Sequence, residues 1–122
     1  MAKILVIDDE PGIRDIIGRV LEDSGHEVRS YENGRGAIEQ VKSWAADLLI
    51  TDIFMPEVEG LETIRRIRQI RPDLPIIAIS GVDMAGSDYL GIAKKFGAVA
   101  TLKKPFWPAN LVDLVSRLLV LT

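Results

Sequence analysis

The sequence predicts an α/β domain: a doubly wound, five-stranded parallel sheet of order 2-1-3-4-5 with helices on both faces. Two hydrophobic periods alternate along the chain in five strand–helix repeats, and that alternation argues a parallel sheet covered on both sides. The first, third and fourth apolar runs are continuous, as strands buried on both faces must be. The second and fifth are polar or broken, which places them at the edges. This is the flavodoxin-like order, in which ligands bind at the carboxyl ends of the strands where neighbouring connections diverge.

The first strand is "KILVI" (3–7), closed by acids. Residues 11–24 carry Ile13, Ile16, Ile17, Val20 and Leu21 on one helical face, with Pro11 suited to the first turn and Gly25 to the position just past the end. "HEVRSY" (26–31) is a polar strand, followed by a helix over 34–45 with Ala37, Ile38, Val41 and Trp44 on one face. "DLLIT" (47–51) is the third strand. The third helix, 58–71, turns Leu61, Ile64, Ile67 and Ile70 inward and Arg65, Arg66 and Arg68 outward, and Pro72 ends it. "PIIAIS" (75–80) is the fourth strand. A fourth helix over 84–96 is weakened by Gly86 and Gly91, each costing about 1 kcal/mol relative to alanine. "AVATL" (98–102) is the fifth strand, and Leu111, Leu114, Val115, Leu118 and Leu119 mark the final helix.

The 122 residues suit a single domain, 1–122, and we expect no output domain in this chain. There is no cysteine, hence no disulfide framework or thiolate metal site. No apolar run reaches membrane-span length, and the N-terminus is too short and too acidic for a signal peptide. A cytoplasmic protein without membrane contact fits these features. A net charge of −3 argues against a domain built to hold nucleic acid.

The predicted strand ends gather the polar residues. Asp8 and Asp9 follow the first strand, Asp52 the third, Ser80 closes the fourth, and Lys104 follows the fifth. Asp52 is expected at the mouth of the crevice rather than in the core. Clustered carboxylates repel one another, and a hard divalent cation relieves this. Oxygen ligands without histidine or cysteine point to Mg²⁺. Lys104 and Ser80 complete a pocket for a tetrahedral anion, which is what phosphoryl transfer to a carboxylate nucleophile needs. Glu10 is read as merely capping the first helix, where acids are favoured near the N-terminus. His26 is read as a surface residue, the arginines of the third helix as a solvated face, and Trp44 and Trp107 as packing, with a partner contact at Trp107 left open.

"VIDDEP", "LLITDIFMPEVEG", "AISG" and "KKPF" together resemble, over the whole chain, the receiver domain of two-component response regulators. The resemblance implies that Asp52 accepts the phosphoryl group from a histidine kinase or phosphotransfer protein. It implies Asp9 as a direct Mg²⁺ ligand, Asp8 acting on the metal through water, and the backbone carbonyl of Phe54 as a further ligand. Ser80 and Lys104 are implied to follow the phosphoryl group, and the Lys104–Pro105 peptide to be cis. The domain then catalyses only its own phosphorylation and dephosphorylation. The face made by the fourth helix, fifth strand and fifth helix is implied to control a downstream partner protein. Thr101 departs from the family, which usually has an aromatic there that reorients on phosphorylation. Phe54 and Val82 flank the line of water attack, and neither can hydrogen-bond an incoming water, so the aspartyl phosphate is expected to be long-lived. Two other functions compete. A Mg²⁺-dependent phosphohydrolase usually has a second aspartate two residues after the nucleophile, where this chain has Phe54. A non-phosphorylated interaction module would not need the intact set of site residues.

Overall fold

A computed structural model describes residues 2–53, 60–80, 94–95 and 97–120. Its strands are β1 (Lys3–Ile7), β2 (Glu27–Tyr31), β3 (Leu48–Asp52), β4 (Ile76–Ser80) and β5 (Ala100–Lys103). Its helices are α1 (Pro11–Asp23), α2 (Gly34–Ser43), α3 (Gly60–Ile70) and α4 (Pro108–Val120). The strands form one sheet of order β2-β1-β3-β4-β5, every pair parallel, as the sequence predicts. Most of the predicted fourth helix, with Val82, lies outside the described residues, as do Phe54 and the side chain of Leu61. No helix among the described residues is long and apolar enough to cross a membrane.

The period-2 alternation of each strand divides the core into two layers. Leu5, Ile7, Leu49, Ile76 and Ala78 pack under α2 and α3 with Ala37, Val41, Ile64 and Ile67. Ile4, Val6, Leu48, Ile50, Ile77 and Ile79 face the other way, against Ile17 and Leu21 of α1 and Leu111 and Val115 of α4. β1, β3 and β4 are buried throughout all but their first residue at most, because helices cover both faces.

Local signals set the helix ends. Asn33 caps α2, its side chain accepting the Arg35 N–H at 3.0 Å. α1 closes in a Schellman turn: the Gly25 N–H donates to the Glu22 carbonyl and the His26 N–H to the Leu21 carbonyl. Gly25 sits there at φ 92°, a conformation glycine adopts without steric cost.

Three readings of side chains are corrected. Arg68 is half-buried, donating to the carbonyls of Arg71, Pro72 and Gly97 at 3.3, 2.8 and 2.7 Å, so it ties the end of α3 to the approach of β5. Arg71 reaches the Ala46 carbonyl at 3.3 Å. Both satisfy backbone acceptors left over where elements end, whereas Arg65 and Arg66 are exposed as expected. Trp44 is buried as packing, whereas Trp107 is 76% exposed. His26 is only partly exposed, and its Nδ1 accepts the Ala2 N–H at 3.1 Å beside the start of the β1–β2 ladder.

That bond needs a neutral imidazole, and burial lowers the His26 pKa below its ordinary value. A depressed histidine pKa favours the fold fully above the unfolded value of about 6.5, and the contribution is lost as pH falls through the folded pKa. His26→Gln keeps an acceptor without a titration. Its melting temperature is expected to fall less than the parent's between pH 7.5 and pH 5. Equal falls would show that His26 does not contribute.

Candidate functional site

Backbone register alone brings the candidate residues together. Ile7 of β1 pairs with Thr51 of β3, Asp52 with Ile79 of β4, and Ser80 with Lys103 of β5. The ladder then runs on past the strand ends. The Asp8 N–H donates to the Tyr31 carbonyl at 3.0 Å, the Ile53 N–H to Ile79 at 3.0 Å, and the Lys104 N–H to Ser80 at 2.8 Å. Asp8, Asp52, Ser80 and Lys104 are therefore held by sheet hydrogen bonds, not by loops. The Lys104–Pro105 peptide is cis.

The Lys104 ammonium lies at the centre. Its Nζ is 2.9 Å from Asp8 Oδ2, 3.0 Å from Asp52 Oδ2 and 3.0 Å from Glu10 Oε1. Asp8 and Asp52 are buried, at 0% and 3% exposure. The expectation that Asp52 sits at the mouth of the crevice is corrected: it is at the carboxyl edge but covered. Sheet pairing continues through it and Ile53, and the Lys104 ammonium lies against its side chain.

Glu10 is also corrected. It occupies the position before α1, yet its side chain makes no capping bond and turns to Lys104 instead. Sequence reasoning missed this second role. The available signal was its place two residues after Asp8, on the same turn out of β1. Arg14 was missed as well: its guanidinium donates to the Asp8 carbonyl at 2.5 Å and fixes the turn.

Electrostatically the site is under-compensated. Among the described residues, carboxylate oxygens of Asp8, Asp9, Glu10 and Asp52 lie within 4.8 Å of one another, and the Lys104 ammonium contacts three of these four residues. Burial pushes the Asp8 carboxyl above its ordinary value, only partly countered by the Glu10 backbone N–H and by Lys104. Burial opposes the Lys104 charge, but the facing carboxylates of Asp8, Asp52 and Glu10 outweigh that and raise its pKa. Among the described residues no donor is aligned on Asp8 Oδ2, although the Lys104 ammonium pairs with it electrostatically at 2.9 Å. A buried carboxylate oxygen without an aligned donor among the described residues, inside an all-oxygen cluster of acids, fits a hard divalent cation. His26 lies at the start of β2, at the opposite edge of the sheet, and no cysteine exists to compete. Ser80 is buried at the end of β4, as predicted, and Asp9 is exposed at the rim. The Phe54 carbonyl lies outside the described residues.

Comparison with known proteins agrees with this geometry. Residues 4–116 match the response regulator receiver domain family. The chain is 34% identical over 120 residues to the response regulator receiver protein CpdR of Brucella abortus, covering 98% of both chains. It is 41% identical over 118 residues to the DNA-binding transcriptional regulator NtrC of Azospirillum brasilense, but spans only 24% of that protein. Among solved structures, the chemotaxis protein CheY4 of Vibrio cholerae superposes with a TM-score of 0.88 at 30% identity, covering 97% of this chain and 98% of that one. The phosphohydrolase and interaction-module readings are not favoured by these matches. A sheet in this order, an acidic cluster with a lysine at its carboxyl edge, and a family match over nearly the whole length lead to one conclusion: the chain belongs to the response regulator receiver domains, the phospho-accepting switches of two-component signalling.

Proposed function

We propose that Asp52 is the phosphoryl acceptor, with Mg²⁺ as the cation of the acidic cluster. The observation that carries this reading is the placement of Asp52, buried at the end of β3 and 3.0 Å from the Lys104 ammonium. An Asp52 carboxylate oxygen attacks phosphorus. The bond from phosphorus to the donor's imidazole nitrogen breaks, its electron pair stays on that nitrogen, and the imidazole takes a proton from solvent. Lys104 pairs with one phosphoryl oxygen and the Ser80 hydroxyl donates to another. Asp8, Asp9, Asp52 and the Phe54 carbonyl would hold Mg²⁺, which when bound neutralises charge on the phosphoryl oxygens. The domain turns over no other substrate.

The phosphodonor is a histidine kinase or phosphotransfer protein. A groove of 480 Å³ beside the site, lined by Glu10, Ile13, Ile16, Lys104, Pro105 and Phe106, supports a docking place next to the acceptor. Ile16 is 48% exposed there, and exposed Trp107 follows Phe106. The signal leaves through the face of β5, α4 and the predicted helix over 84–96 to a downstream protein partner in the cytoplasm. The acidic net charge supports an output that does not use this domain to touch nucleic acid.

Incubation with acetyl phosphate and Mg²⁺ is expected to add the mass of one phosphoryl group to the intact chain. EDTA should abolish the gain, and Asp52→Asn should abolish it in excess Mg²⁺. An Asp52→Asn variant that gains phosphate as fast as the parent would overturn the assignment.

A further inference from the structure

Lys104 makes three carboxylate contacts, and they differ in what it costs to break them. The side chains of Asp8 and Asp52 are 1% and 5% exposed, whereas that of Glu10 is 60% exposed. An ammonium has three donor hydrogens, and three carboxylates already surround this one. A phosphoryl group on Asp52 brings larger negative charge and more acceptor oxygens into the same space. It attracts the ammonium, and it repels a Glu10 carboxylate whose oxygen lies within 4.8 Å of those of Asp8 and Asp52. The Asp8 carboxylate is buried and cannot rehydrate when Lys104 leaves it, whereas Glu10 released into water rehydrates freely. Glu10 is the partner that yields.

Glu10 also joins two separate parts of the chain. It stands immediately before α1, makes no capping bond there, and reaches a lysine 94 positions later, on the loop between β5 and α4. Both members of the pair line the groove together with Ile13, Ile16, Pro105 and Phe106. We propose that Glu10 is a positioning residue that holds Lys104 in the unphosphorylated state and competes with the phosphoryl group for it. Phosphorylation displaces Glu10 and unfastens the start of α1 from the β5–α4 loop. The groove beside the site thereby senses the state of Asp52. This inference rests on the reading of Asp52 as acceptor.

The test uses the whole chain with Mg²⁺ and beryllofluoride, a stable tetrahedral mimic of a phosphoryl group, followed by fluorine NMR. Parent, Glu10→Gln and Glu10→Asp are compared. Aspartate keeps the charge but is one methylene too short to reach Lys104, so it separates contact from charge. Both variants are expected to bind beryllofluoride about threefold to fivefold tighter than the parent, the scale of a partly exposed ion pair. Hydrogen exchange across residues 10–17 should quicken in the parent on binding. It should change little in Glu10→Asp, where the tie is absent, and less than in the parent in Glu10→Gln, whose neutral amide oxygen holds Lys104 more weakly. Parent-like affinity in Glu10→Asp, with only Glu10→Gln tighter, would reduce the effect to net charge and overturn the proposal. Unchanged exchange in the parent would also overturn it. A parent that binds no beryllofluoride would overturn the acceptor reading itself, and this inference with it.

Discussion

Lys104→Met is expected to destabilise the metal-free protein by about 3 kcal/mol at pH 7, the low end of the cost of removing one partner from a buried ion pair. Methionine keeps the length and apolar bulk of the side chain, so little packing is lost. What is lost is the ammonium facing Asp8 and Asp52, both buried, and Glu10. The low end applies because Glu10 opens the cluster to solvent on one side. The pH dependence has a definite sign. Burial already raises the Asp8 pKa, so the fold binds this proton more tightly than the unfolded chain does. Such a group favours the fold below its unfolded pKa, and that advantage is lost as pH rises through the folded pKa. Removing Lys104 raises the Asp8 pKa further and widens that window. The loss should therefore be largest at neutral pH and smaller in mild acid. Mg²⁺ should restore part of the stability, and more in the variant than in the parent. Urea unfolding at pH 7 and pH 4.5, with and without Mg²⁺, measures all of this. A loss below about 1 kcal/mol at pH 7 would show that water, not Lys104, compensates the carboxylates.

Gly34→Ala sets helix propensity against space. Alanine in place of glycine usually favours a helix by about 1 kcal/mol, less in a first turn. Here, however, a Cβ would lie 2.3 Å from Thr63 Oγ1, 3.1 Å from its Cγ2 and 3.2 Å from its Cβ. Thr63 is fully buried inside α3, and its branched side chain has little rotational freedom to yield. Sterics should win, with a net loss of about 2 kcal/mol. Thr63 Oγ1 has no hydrogen-bond partner among the described residues, so Thr63→Ala should be cheap for a buried polar deletion. The double variant should recover most of the loss, which a double-mutant cycle would register as coupling. A Gly34→Ala variant more stable than the parent would show that α2 and α3 can part without cost.

The strand order was legible because burial writes itself into composition: apart from Lys3 and Ser80 at their ends, "KILVI" and "PIIAIS" are wholly apolar, whereas "HEVRSY" carries polar residues along its length. The position of Asp52, Asp8 and Lys104 at one edge then followed from topology. Depth did not follow. The expected third strand stopped at Thr51 because Asp52 is charged, but ladder hydrogen bonds are made by the backbone, and pairing runs through Asp52 to Ile53. β5 begins at Ala100, two residues later than its apolar run implied, because Val99 is 54% exposed and only its N–H, donated to Ile76, joins the ladder. The partners of Glu10 and Arg68 were hidden for a different reason. Long charged side chains fold back over distances that a helical period does not record, and their targets are fixed only when the sheet has closed.

The most direct test of the account is to find where the phosphoryl group goes. The chain is phosphorylated with acetyl phosphate and Mg²⁺, treated with borohydride, digested and sequenced by mass spectrometry. An acyl phosphate is a mixed anhydride, and borohydride reduces its carbonyl to an alcohol, turning the phosphorylated aspartate into homoserine. The account predicts homoserine at position 52 alone, dependent on Mg²⁺ and on the phosphodonor. Homoserine at Asp8 or Asp9, or none at position 52 in a chain that has gained phosphate, would contradict it.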